Sequence, residues 1–422
     1  HEPVNKEMLS DLVDRWKYLL VNRGAKRGNS LGLAFVMVDV DHLALLFAAA
    51  ELGMCLLILD KPVSQESIDR TRAAVFAPID FLIFDEYVRE LPNYVEMVNR
   101  YCTNIIYVEE IESVTGKFTE VWGTSEDNYI GASSSGTTGA PVPAYYTQHQ
   151  CMLHAHRCSK VFKYEKDSIV CHTRNMHHVS SMLIGILPAL VSVEKHYFYN
   201  IYHDFDGFAE FIRDHNIDRA FIGSEWVIKA FVRAAIERDV RFNTTMIGSI
   251  SGFTIPEEYI GYCELLNMEL MSHIGAVGVA VAPVVNHVTK DSVFKPNWLG
   301  REPDDYYKIE IVNGSALLRS PEENYEVAHL LEDHVEVIDG EWFHYGRLTK
   351  DQAEDDLRGL LGVDCNIYKN YLVIWDSEPL DIPEQYSHLD VRYMDKETWT
   401  TETKVNVYQL LGYLEKTSYM EK

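Results

Sequence analysis

Tyr129–Thr147 reads YIGASSSGTTGAPVPAYYT. Hydroxyl residues and glycines alternate so densely here that neither a helix nor a strand is its purpose. Ser133, Ser134, Ser135, Thr137 and Thr138 supply hydroxyl donors, while Gly136 and Gly139 let the backbone turn so that its amide hydrogens face an anion. The stretch therefore reads as a phosphate-cradling loop of a size that suits a nucleoside triphosphate. It is not the Walker loop, because Ala140 and Pro141 follow Gly139 where that pattern needs Lys and then Ser or Thr. By composition alone a Ser/Thr/Gly run is more often a flexible linker, and it is the order of the residues that favours the loop.

On either side the apolar pattern is that of strands and helices in alternation. Met8, Leu9, Leu12, Val13, Trp16, Leu19 and Leu20 recur at helical spacing, so the chain opens with an amphipathic helix. LGLAFVMVDV (Leu31–Val40), DHLALLFAAAELG and MCLLILD then give strand, helix and strand within a βαβ-sized window. FLIFD (Phe81–Asp85) and NIIYVEE (Asn104–Glu110) continue the strands. Past the loop, TQHQCMLHAHRCSKVF predicts a helix, and a phosphate loop leading into a helix N-terminus gains from the helix dipole. Further on come helix FDGFAEFIRDHNI, strand RAFIG, helix WVIKAFVRAAIERDV and strand MIGSISGF. The fold class is α/β with largely parallel strands, and no internal repeat or low-complexity segment interrupts it.

Bulk properties bound the partners. The chain of 422 residues exceeds one ordinary core, so two or more domains are expected. A formal charge of -26 argues against nucleic acid or an anionic membrane as the main partner, and it obliges any nucleotide to be met by a local positive site. The seven cysteines include no CxxC pair and are odd in number, which predicts reduced thiols and a cytoplasmic protein. The longest apolar run, His42–Leu59, is interrupted by Glu51 and flanked by Asp41 and Asp60, so it suits a buried helix and strand better than a membrane span. No secretory leader is read at the start. Histidines at 154, 156, 177 and 178 do not keep the three- or four-residue spacing that one helix face needs to hold a metal, so no metal-ligating residues are assigned among them.

The segment SSGTTGAPVPAYYT resembles the signature loop of the adenylate-forming superfamily, which contains acyl-coenzyme A synthetases, nonribosomal peptide adenylation domains and firefly luciferase. Its usual form is TSGTTGxPKGxxxTH. Ser134, Ser135, Gly136, Thr137, Thr138, Gly139, Pro141 and Thr147 match, whereas Val142 replaces the lysine and Gln148 the histidine. Five further stretches carry the resemblance. NMHHVSSMLIGILPAL resembles PLxHxxG and its apolar helix, with His178 on the histidine that lines the acyl pocket; the Asp that holds an α-amino group is absent. SGFTIPEEY resembles GGxPLxxEL, with Gly252 on its second glycine. MELMSHIGAVGVAVAP resembles the xxYGxTE segment: Gly275 is kept, but Ile274 replaces the aromatic that stacks on adenine, and Val277 and Gly278 replace Thr and Glu. GAVGVA also admits a weak reading as a dinucleotide-binding glycine loop. LLEDHVEVIDGEWFHYGRLTKD resembles TGDxxxxDxDGxxxxxGRxxD, with IDGEW as a turn between two strands. DKETWTTETKVNVYQLL resembles LPxTxxGKVxRxxL.

The resemblance implies a large N-terminal α/β domain (1–348), with parallel-rich sheets flanked by helices, and a small α+β C-terminal lid (349–422) hinged at Thr349. It implies that Asp333 and Arg347 hold the ribose of ATP and that the loop Ser134–Gly139 holds its phosphates. His178, Gly252 and Gly275 line the substrate pocket, and Lys404 reaches the carboxylate and α-phosphate. Mg2+ is the family's usual companion of ATP, but a glycine at 278 offers the cation no oxygen ligand. The expected activity is ATP-dependent conversion of a small carboxylic acid to an acyl-adenylate. Coenzyme A, a carrier protein or an amine is the acceptor. An excursion IKxxGxxVxPxE, which guides thiol acceptors, is missing after Arg347. The alternative is a catalytically degenerate relative that binds a nucleotide or acyl group as a sensor or scaffold.

Overall fold

The computed structural model describes residues 4–34, 39–59, 75–84, 101–133, 143–173, 178–201, 204–223, 225–248, 257–276, 280–312, 315–321, 329–347, 365–368, 371–374 and 390–393. Helix α1 (Lys6–Asn22) is capped by Asn5, whose side-chain oxygen accepts the Met8 amide, and it buries Val13, Trp16, Leu19 and Leu20. Met8 falls off that face and is exposed. Strand β1 (Ser30–Ala34) leads to α2 (Val40–Leu52), so Val40 belongs to the helix and not to the preceding strand; Asp39, accepting the amides of Asp41 and His42, fixes the helix start. Gly53 ends α2 at φ +64°, where a Cβ would lie 2.8 Å from both Arg27 Cγ and Asp127 Oδ2.

Strands β2 (Cys55–Leu57), β3 (Ile79–Phe84), β4 (Cys102–Tyr107), β5 (Asn128–Ser133) and β6 (Pro143–Thr147) complete a six-stranded sheet in the order β4-β3-β1-β2-β5-β6. The run predicted as strand through Glu110 breaks at Val108, where a 3-10 helix begins. All neighbours are parallel except β5 and β6. Both faces of the parallel strands are covered, which is why they read as unbroken apolar runs. In β3, Phe81 and Ile83 enter the central core while Leu82 and Phe84 enter a second core on the opposite face.

The central core fills the layer between this sheet and a larger one. It contains α2, helix α3 (Gln148–Val161), a π-helical turn (Ser181–Ile186) and the short α4 (Leu187–Leu190). The larger sheet has eleven strands. Its parallel half consists of β7 (Ile169–His172), β8 (Lys195–Phe198), β9 (Arg219–Gly223), β10 (Thr244–Gly248) and β11 (Met268–Ala276). Helices α5 (Phe205–Asp214), α6 (Glu225–Glu237) and α7 (Glu258–Leu266) cover its outer face with a third core.

From β11 onward the sheet is antiparallel, through β12 (Ala280–Val288), β13 (Trp298–Arg301), β14 (Lys308–Val312), β15 (Ser315–Arg319), β16 (His329–Ile338) and β17 (Glu341–Arg347). The strands are therefore parallel-rich in the first sheet and mixed in the second. The IDGEW turn joins β16 to β17 with Asp339 at φ +53° and Gly340 at φ +75°, the left-handed pair a two-residue hairpin requires. The C-terminal strands β18 (Cys365–Tyr368), β19 (Tyr371–Ile374) and β20 (Asp390–Tyr393) form a separate three-stranded sheet.

Arg157 ties α3 to the antiparallel half of the larger sheet. Its guanidinium makes a forked pair with Asp304, donates to the carbonyls of Val281 and Ala282, and lies 4.9 and 5.0 Å from the ring centroids of Tyr306 and Tyr307. Ala282 sits at φ +47°, a strained position for a residue with a Cβ, and is wholly buried. Arg157→Met removes the donors of two buried carbonyls and should cost about 3 kcal/mol in urea unfolding. A loss below about 1 kcal/mol would contradict the bridging role. Gly300, at φ +119°, lets β13 close on β12, since a Cβ would meet the Val285 carbonyl oxygen at 2.1 Å. Gly300→Ala should therefore lower stability by more than about 1 kcal/mol in the same measurement.

Candidate active site

The loop Ser134–Gly139 lies outside the described residues, but its two ends are placed. Ser133 closes β5 and Pro143 opens β6, and the two are direct partners in an antiparallel ladder. The loop is thus the connection of a hairpin at the carboxyl end of a parallel strand. The predicted helix forms where the sequence put it, from Gln148 with Thr147 as its cap, but the loop does not run directly into it. Residues Pro143–Thr147 first return along β5 as an edge strand, and α3 starts at Gln148, opposite the other end of β5. Five residues of strand separate the two by roughly 16 Å, so the α3 dipole is not aimed at the loop. Thr147 caps α3 in a capping box with Gln150. Gln148, standing where the family has histidine, donates from Nε2 to the Ala50 carbonyl at 2.7 Å and ties α3 to α2. The Ser133 hydroxyl, at the foot of the loop, is buried and has no hydrogen-bond partner.

Parallel pairing brings several strand ends together. Strands β7, β9, β10 and β11 are parallel, so the segments after His172, Gly223 and Gly248 and the end of β11 share one sheet edge. His178 follows β7, Gly252 follows β10, and Gly275 lies in the last turn of β11. Ligands of α/β sheets bind at this carboxyl edge. Gly252 is outside the described residues. Gly275 is exposed beside a register shift, and Ile274 is buried. His178 Nδ1 accepts from the Ser180 amide (3.2 Å) and lies 2.7 Å from its hydroxyl, just before the π-helical turn.

The glycine stretch GAVG lies at the hinge of the antiparallel β11–β12 pair, where Ala276 and Ala280 are partners. A dinucleotide loop needs a helix at that point, so this reading is discarded.

Asp333 and Arg347, placed on the ribose by the sequence, are direct partners across the β16–β17 ladder. Thr349 and Lys404 lie outside the described residues. Val277 and Gly278 provide no oxygen side chain, and no group of three or more His, Cys, Asp or Glu comes together among the described residues. These donors do not fit a magnesium ion held by the protein. Six cysteines, Cys55, Cys102, Cys151, Cys158, Cys171 and Cys263, are buried free thiols. No helix among the described residues is long and apolar enough to cross a membrane.

One pair near the edge was not singled out from sequence. His172, the last residue of β7, is 3% exposed, and its Nε2 lies 3.3 Å from Nδ1 of His196 on β8. Burial, aided by the neighbouring His196, pushes the His172 pKa down to about 3. Burial likewise lowers that of His196, partly offset by its bond to the Val193 carbonyl. Elsewhere, a cleft of about 540 Å³ is lined by Met271, Trp298, Arg301, Glu302 and Glu341 among others. Glu341 begins β17 and Arg347 ends it, so the cleft is roughly 20 Å from the ribose pair. Its charges are also mutually satisfied, Glu341 receiving both Lys295 and Arg301.

No protein-family model matches the chain, and no curated protein matches it. Solved structures do. McyG A-PCP complexed with phenylalanyl-adenylate aligns with 88% of this chain and 80% of its own at 14% identity, with a TM-score of 0.69. A fatty acyl CoA synthetase from Mycobacterium tuberculosis aligns over 93% and 89% at 13% identity, with a TM-score of 0.68. The o-succinylbenzoate CoA synthetase MenE from Bacillus subtilis aligns over 93% and 90% at 13% identity, with a TM-score of 0.67. Such identities carry architecture and leave the reaction to be argued from the site. The chain thus has the fold of these adenylate-forming enzymes.

Proposed function

We propose that this chain uses ATP to convert a carboxylic acid to its acyl-adenylate, releasing pyrophosphate, and then passes the acyl group to an acceptor. The observation that carries the reading is the direct partnership of Asp333 and Arg347 across β16–β17, in a fold whose hydroxyl-rich loop stands at the carboxyl end of a parallel strand. A carboxylate accepting two ribose hydroxyls is a specific sugar clamp, and Asp333 takes that part beside Arg347. A carboxylate oxygen attacks the α-phosphorus, the bond from that phosphorus to the bridging oxygen breaks, and pyrophosphate departs with the electron pair. Two anions must approach, so donors and positive charge are needed where negative charge gathers. Lys404 supplies the charge, and Ser134, Ser135, Gly136, Thr137, Thr138 and Gly139 supply hydroxyl and amide donors. No step is routed through Mg2+, because Val277 and Gly278 offer it no oxygen and no carboxylate cluster forms among the described residues.

In the second step a thiol, amine or hydroxyl attacks the acyl carbon and AMP leaves. The missing excursion after Arg347 favours an acceptor presented by a partner, such as a carrier protein, over one guided by this chain alone. A second reading has its own support. Val142, Val277 and Gly278 remove a lysine, a hydroxyl and a carboxylate from the nucleotide's surroundings, which favours a relative that binds ATP or an acyl ligand without turning it over, as a sensor or scaffold.

Pyrophosphate release from ATP across aryl, short-chain, long-chain and amino acids separates the two. The adenylation reading expects release with at least one class, a loss of about 100-fold or more in Lys404→Ala, and a raised KM for ATP in Asp333→Ala. A melting temperature raised by ATP, with silence across the whole panel, selects the binder and overturns the enzyme.

A further inference from the structure

The two histidines near the sheet edge fix each other's protons. His196 Nε2 lies 3.0 Å from the Val193 carbonyl oxygen, which only accepts, so Nε2 carries the proton. The other nitrogen of this neutral ring, Nδ1, is then an acceptor. His172 Nε2, 3.3 Å away, must donate to it, and the rings lie parallel to within 9°. His172 is therefore left with a bare lone pair on Nδ1, and that atom is buried without any hydrogen-bond partner. The tautomer is set by the chain Val193, His196, His172.

The position of this acceptor is informative. His172 is the last residue of β7, at the carboxyl edge after which His178 follows and where Gly275 nears the end of β11. It is the register partner of Phe198 on one side and Phe221 on the other, so the three side chains share one sheet face. The His172 ring stacks on Phe198, with centroids 5.1 Å apart. The π-helical turn packs over this face: a Cβ on Gly185 would lie 3.0 Å from Cγ of Phe221. Ser181, the first residue of that turn, is also wholly buried with an unpartnered hydroxyl. Wide π turns recur at functional sites. A cationic donor is disfavoured here, because aromatic neighbours and a neutral imidazole pair offer no counter-charge.

We propose that the acid taken by this chain carries a neutral hydroxyl, received by Nδ1 of His172 at the carboxyl end of β7. The inference rests on the adenylation reading and adds to it a substrate class and a specificity residue. A site built around a fixed acceptor discriminates against the analogue that lacks the donor, because the acceptor is then left unpaired.

The test uses acid pairs differing by one hydroxyl, such as 3- and 4-hydroxybenzoate against benzoate and hydroxyalkanoates against alkanoates, with the full chain. The wild type should favour one hydroxylated member by about 10-fold or more in kcat/KM. In His172→Phe that ratio should fall to near one while turnover of the parent acid persists, and in His172→Gln, which keeps an acceptor, part of it should return. Equal ratios in wild type and His172→Phe would overturn the inference and leave adenylation standing. If no acid is adenylated at all, the adenylation reading fails, and binding decides the remainder. In protein labelled with 15N-histidine, the unprotonated Nδ1 resonance assigned by its loss in His172→Phe should move with a hydroxy acid and not with its parent. No movement with either refutes the assignment of His172. If His172→Phe does not fold, loss of the same resonance in His172→Gln supplies the assignment and the labelled wild type decides.

Discussion

The inner parallel strands of this chain have no solvent face. Each has one side against the central core and the other against an outer one, as the split of Phe81 and Ile83 from Leu82 and Phe84 shows. Polar side chains and irregular backbone are thereby excluded from the strand interiors and displaced to their ends. Ser133 at the end of β5 and His172 and Thr173 at the end of β7 occupy such places, as do the segments that carry His178 and Gly252. The gathering of chemistry at the carboxyl edge follows from burial before it follows from any ligand.

Charge imposes a second restriction. With a formal charge of -26, the protein repels a polyphosphate at long range, and a site for one has to be built from short-range donors. A loop of hydroxyls and glycine amides meets that need without a lysine at Val142. The cations that are well placed in the described residues are committed elsewhere: Arg157 to Asp304, Lys17 to Glu51 and Asp14, and Lys295 and Arg301 to Glu341. They hold elements together. In the proposed chemistry the positive charge comes from Lys404.

Legibility in the sequence followed the range of the signal. Strand and helix alternation was plain because apolar runs and helical spacing are local, and the IDGEW turn was plain because Asp and Gly are the residues that a left-handed pair selects. β6 was hidden, since PVPAYYT begins with prolines and reads as loop; an edge strand tolerates Pro143 at its first position, and that oversight ran the loop directly into α3. The π-helical turn was invisible because SMLIGILPAL is apolar all round and carries no period. Arg157 and Asp304 are 147 residues apart, and His172 and His196 are 24 apart on adjacent strands. No local pattern announces either pair. The register that makes Asp333 and Arg347 partners on adjoining strands was not read from the sequence, and what those residues bind is supplied by family likeness and not by the fold.

Helix α3 is anchored at both ends to different sheets, by Thr147 and Gln148 at its start and by Arg157 near its finish. It behaves as a strut whose length and phase are both fixed. Removing or adding a single residue between these anchors would shift the guanidinium by about 1.5 Å along the axis and swing it by about 100° around it. The carbonyls of Val281 and Ala282 would then face the wrong side of the helix. Insertions and deletions in this chain are therefore confined by geometry to the connections outside α3, and the spacing between the hydroxyl-rich hairpin and the β11–β12 pair is set by a count of residues, whatever their identity.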